Sequence, residues 1–131
     1  MADWHTLVNY LRKHYTVSSE DADSLSLRFR TEGGREQLAI VWRDLGQDGH
    51  EYARIESAIA LADDCDVKAL LGAAYSSIVG GVVLADGFLM FRHTVPLLNL
   101  DENEIAKPLA GVVLTADSLE QTFSQLEVDA F

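Results

Sequence analysis

The chain has 131 residues, 48% hydrophobic and 24% charged, with a formal net charge of −11. That length holds one ordinary domain rather than two, and the composition is that of a globular chain with a core. The acidity excludes polyanionic partners, since nucleic-acid phosphates and anionic membrane surfaces both need a cationic counterpart. No window approaches the roughly 18 uninterrupted apolar residues of a membrane span. The opening MADWHTLVNYLRKHY lacks the basic and apolar regions of a signal peptide, so a cytoplasmic location is expected. Cys65 is the only cysteine, which excludes an internal disulfide and any multi-cysteine metal site.

Trp4, Leu7, Val8 and Leu11 recur at helical spacing and predict an amphipathic helix over 3–14. Residues 24–30 (SLSLRFR) alternate, with Leu25, Leu27 and Phe29 on one face, and EGGREQ follows as a turn. Residues 37–43 (QLAIVWR) read as a second strand, and residues 51–60, after the polar loop DLGQDGHE, as a third. DDCDVKALLGAAYSS reads as a second helix, with Asp63, Asp64 and Asp66 placed to cap it. In VVLADGFLMF, Asp86-Gly87 is a hairpin signal between two further strands. Asp101 and Glu104 form a capping-box pattern before a stripe of Ile105, Leu109, Val112, Val113, Ala116, Leu119, Phe123 and Leu126. Pro108 within that stripe predicts a kink or a fresh helix start. The expectation is a single α+β domain over 1–131, in the order α-β-β-β-α-β-β-α. Its twisted antiparallel five-stranded sheet carries its helices on one face.

RIESAIA in the third strand, GGVVLADGFLMFRHTVPLLNLDENEI across the last hairpin, and PLAGVVLTADSLEQ in the final helix carry a resemblance. The chain resembles YbjN-like domains and the related class I type III secretion chaperones over most of its length. The resemblance implies a non-enzymatic, usually dimeric module that binds extended segments of other proteins. Val67, Leu70, Leu71 and Ala74 of the second helix would serve as ordinary core, but the resemblance implies instead that this helix and the adjacent fourth strand, with Val82, contribute to a homodimer.

The pair Arg92-His93 lies in the apolar run GFLMFRHTV, where a guanidinium beside an imidazole invites a catalytic reading. Neighbouring strand side chains point to opposite faces, so the two cannot act on one substrate atom. His93 shares the more apolar face with Leu89, Phe91 and Val95, and is expected toward the core with one hydrogen-bond partner. A small enzyme using His93 is the lesser alternative. DLGQDGHE resembles a calcium loop only faintly, since Gly46 and Ile55 stand where oxygen ligands belong. His5, His14 and His50 lack metal-ligand spacing, and no nucleotide or nucleophile-elbow motif is present. Carboxylates around Cys65 are expected to raise its pKa. No cofactor, no metal and no catalytic group is therefore expected.

The sheet's outward positions form the more informative pattern. Arg28, Arg30, Arg43, Arg54 and Arg92 are half of the ten basic residues, and of the acidic residues only Glu56 is expected beside them. Val41, Tyr52, Phe88 and Met90 would accompany them, although the phase of the second strand is open, since Leu38, Ile40 and Trp42 compete for the inward side. Such a face suits an extended protein segment with acidic and apolar side chains. The alternative is a structural or regulatory homodimer with no peptide-binding face, these positions then being a subunit interface or ordinary solvated surface, and a one-residue slip in register would reverse the assignment.

Overall fold

The computed structural model describes residues 3–124. Helix α1 (Trp4–His14) starts where Asp3 accepts a hydrogen bond from the Thr6 amide at 2.8 Å. Strands β1 (Thr16–Asp21), β2 (Ser24–Arg30), β3 (Glu36–Leu45) and β4 (Glu51–Leu61) follow as a meander. Helix α2 (Val67–Ala74) leads to the hairpin of β5 (Gly81–Ala85) and β6 (Phe88–Pro96), and α3 (Ala106–Phe123) follows. The strands form one antiparallel sheet in the order β1-β2-β3-β4-β6-β5.

The sheet has six strands, one more than expected. TVSSED has a single apolar residue, Val17, so neither alternation nor hydrophobicity marks it as a strand. It forms because β2 offers it a backbone edge, and Val17 packs against the core. Helix α2 is shorter than DDCDVKALLGAAYSS suggested. Only Asp66 caps it, accepting from the Ala69 amide at 3.1 Å. Asp63 and Asp64 lie in a separate 3-10 turn, Ala62–Asp64.

Asp86 and Gly87 both have positive φ, 50° and 83°, the backbone of a tight hairpin turn whose twist matches the strands. The capping box forms at Asp101 and Glu104, but it opens a 3-10 turn, Glu102–Ile105, that runs into α3. Pro108 falls in the first turn of α3, where its missing N–H leaves no bond unmade, so it marks a helix start. Leu126, the last residue of the expected stripe, lies outside the described residues.

The three helices pack on one side of the sheet. Their buried residues, from Leu7 and Leu11 through Leu70 to Leu109 and Val113, join Leu25, Leu27, Ala39, Val41, Ile55 and Phe91 in one core. A bulge in β4 between Ala58 and Ala60 lets Ile59 and Ala60 both reach that core. Beside it, buried Gln37 donates from Nε2 to Ser57 Oγ and to the Ala58 carbonyl, at 2.8 and 2.9 Å.

Candidate functional site: the open face of the sheet

Cross-strand pairing fixes which side chains share a face. Leu25 pairs with Val41, Val41 with Ile55, and Ile55 with His93, so these four look toward the helices. The alternate ladders look the other way. Ser26, Ile40, Glu56 and Arg92 run side by side; Trp42, Arg54 and Thr94 form the next row, and Arg28 and Leu38 begin another. Met90 pairs with Ala58 and Val83, on the same outward side.

The register therefore gathers Arg28, Arg30, Tyr52, Arg54, Phe88, Met90 and Arg92 on one open face. Two residues expected there do not belong to it. Val41 is fully buried against the helices, and Arg43, in phase with it, pairs with Glu51 and with Asp23 at the sheet's end. The phase of β3 is opposite to the one its apolar residues favoured: Leu38, Ile40 and Trp42 face outward, half-buried among their neighbours. QLAIVWR is apolar at almost every position, so both phases satisfied the pattern, and only pairing with β2 and β4 decided it.

The face is also less basic than expected. Glu36 and Asp44 stand on it beside Glu56, and Asp21 joins them at the β1 edge. Arg28 lies 3.7 Å from Glu36. Arg54 Nε lies 3.1 Å from Asp44 Oδ2, close enough for ion pairing but without hydrogen-bond alignment, and its Nη1 is 3.8 Å from Glu56. The Arg54 guanidinium covers the Trp42 ring at 5.3 Å from its centroid. The Trp42 indole N–H is buried without an acceptor among the described residues. Met90, although outward, is only 5% exposed, so it forms the floor between the longer side chains.

His93 occupies the helix side, half-buried, but the expected hydrogen-bond partner is not found among the described residues. A groove of about 700 Å³ lies between α1 and the 3-10 turn before α3, lined by Asn9, Tyr10, Lys13, His14 and Asp101 among others, and does not include His93. Asp48, in the loop weighed as a calcium site, instead accepts from the His50 amide at 3.0 Å and from the Tyr52 hydroxyl at 2.5 Å. These bonds hold its carboxyl below the usual range, Tyr52 first, and the same bond raises the Tyr52 phenol. Cys65 is raised chiefly by burial, with Asp66 second.

The expected dimer residues separate in the same way. Leu70 is fully buried in the chain's own core, which removes it from any outer surface. Val67, Ala74 and Val82 are half-buried against that core, and Leu71 is 48% exposed. Sequence reading missed Tyr75, Ile78 and Leu84, which are 92%, 99% and 67% exposed on and beside the α2-to-β5 connection. No periodicity marks Tyr75 and Ile78, because they lie in a turn.

A six-stranded antiparallel sheet with the described helices on one side defines an α+β protein, and among the described residues no helix packs on the second sheet face. No family model matches the chain, and no curated protein matches it. Among solved structures, a chain of the HopA1-SchA chaperone-effector complex is similar, with a TM-score of 0.61 and 13% identity over 89% of this chain and 92% of that one. The likeness is one of fold.

Proposed function

We propose that the chain is a non-enzymatic protein-binding module that takes an extended segment of another protein on the open face of its sheet. The observation that carries the reading is the face itself. Leu38, Ile40, Trp42, Phe88 and Met90 lie interleaved with arginines on a sheet surface that none of the three helices covers. An apolar surface of this kind, rimmed by charge, is characteristic of interaction sites. The similarity in fold to a chain of a chaperone-effector complex supports a protein partner, as does the resemblance to YbjN-like domains and secretion chaperones.

A photo-crosslinking residue at Ile40 or Phe88 tests this in lysate, with Lys107 on α3 as the control position. The reading expects the same adducts from both sheet positions, none from position 107, and their loss on Trp42→Glu. Equal labelling from position 107 would remove it.

A second reading concerns self-association. Strand β5 is an edge strand, GVVLA, without a single charge to discourage pairing, and Leu71, Tyr75, Ile78 and Leu84 are exposed on or next to it. A homodimer joined along β5 and α2 would cover these residues. Sedimentation equilibrium of the chain and of Ile78→Asp separates the possibilities: dimer and monomer respectively are expected, and a monomeric parent rejects the pairing.

A further inference from the structure

We infer that the segment on the open face carries a carboxylate that docks on Arg92 between apolar side chains; this rests on the open-face reading above. Five of the seven arginines already have carboxylate partners: Arg12 with Glu20, Arg28 with Glu36, Arg35 with Asp117 and Glu120, Arg43 with Glu51 and Asp23, and Arg54 with Asp44 and Glu56. Arg92 has no carboxylate within ion-pairing distance among the described residues, and neither has Arg30. In a chain with 21 acidic residues, that is a selective omission.

The position of Arg92 explains how a ligand reaches it. On one side its cross-strand neighbour is Glu56, which is turned to Arg54 and only 7% exposed. On the other side its neighbour is Gly81, which has no side chain, and a Cβ built there meets nothing within 4 Å. Arg92 therefore has one open flank at the height of the sheet surface, with Met90 two residues along its own strand. Charge supports the direction. The outward positions balance four arginines against Asp21, Glu36, Asp44 and Glu56, so the chain's net charge of −11 is carried entirely elsewhere. An acidic segment is repelled by the rest of the molecule and accepted here. A cationic segment would be drawn to the whole acidic surface without preference for this face.

Two tryptophans are present, Trp4 in the core and Trp42 on the face, so the Trp4→Phe variant makes indole emission report on the site. The probes are three synthetic peptides with serine at every second position. The positions between alternate leucine with glutamate, glutamine or lysine, so an extended chain shows leucine and the variable residue on one side. The glutamate peptide is expected to bind about tenfold more tightly than the glutamine peptide, the scale of one charge-assisted hydrogen bond, and the lysine peptide most weakly. Arg92→Gln should abolish the preference, so that the glutamate and glutamine peptides bind equally. Gly81→Val, which fills the open flank and leaves every charge in place, should do the same. Denaturation midpoints confirm that both variants are folded.

Equal affinity for the glutamate and glutamine peptides, or tighter lysine binding, overturns the carboxylate assignment while the open face stands. If no peptide alters Trp42 emission, the open face and the inference both fall. If emission instead changes with protein concentration alone, a second copy occupies the face, and the inference falls with it.

Discussion

Arg35 shows how much one unforeseen residue carries. From the turn before β3 its Nε reaches Asp117 at 3.1 Å and its Nη2 reaches Glu120 at 2.7 Å, and both carboxylates are buried on α3. Removing the guanidinium would leave two acids buried without it, so Arg35→Ala is expected to cost about 3 kcal/mol in urea unfolding. Nothing local signals this contact, because its partners lie more than eighty residues away. Tyr52 and Asp48 make a smaller, exposed pair whose pH behaviour has a fixed sign. Asp48 is depressed, so its contribution is complete above the ordinary carboxylate range and fades as pH falls through its lowered value. Tyr52 is raised, so the phenol stays neutral beyond its ordinary range, and the contact is lost as pH rises through the raised value. Ultraviolet titration should show two tyrosines ionising late, Tyr15 raised chiefly by burial and Tyr52 by its bond to Asp48, and Asp48→Asn should bring only Tyr52 back toward the ordinary value. An unchanged titration would separate Asp48 from Tyr52 in solution.

Elements were legible in proportion to how much local chemistry defines them. Helix α1 shows its 3.6-residue period, and the β5–β6 hairpin shows its Asp-Gly turn. Gly87 sits at φ 83°, where a Cβ is disfavoured, so Gly87→Ala is expected to destabilise by about 1 kcal/mol although space is open around it. A stability change near zero would mean the turn relaxes to another type. Strand β1 was invisible because its pairing comes from β2 and not from its own residues. The phase of β3 was undecidable for a related reason: Leu38, Ile40 and Trp42 compete with Ala39 and Val41, and only the neighbouring strands break the tie. In β4 the alternation was readable, since Ala53 and Ile55 stand against Tyr52, Arg54 and Glu56.

At the scale of the molecule, one consequence of the topology dominates. All three described helices contribute to a core on one side, which leaves a sheet face on which none of them packs. The alternation predicted five arginines on that face, and the register puts four of them there, with Arg43 and Val41 on the other side. The carboxylates on the same face stayed hidden because Glu36 and Asp44 belong to β3, the strand of undecided phase. The most direct test of the face as a binding surface selects a peptide ligand from a random display library and maps it by amide chemical-shift changes. The account predicts changes concentrated at Leu38, Ile40, Trp42, Arg54, Met90 and Arg92, and lost on Trp42→Glu. Changes confined to the groove between α1 and the turn before α3, or to the β5 edge, with the open face silent, would contradict it.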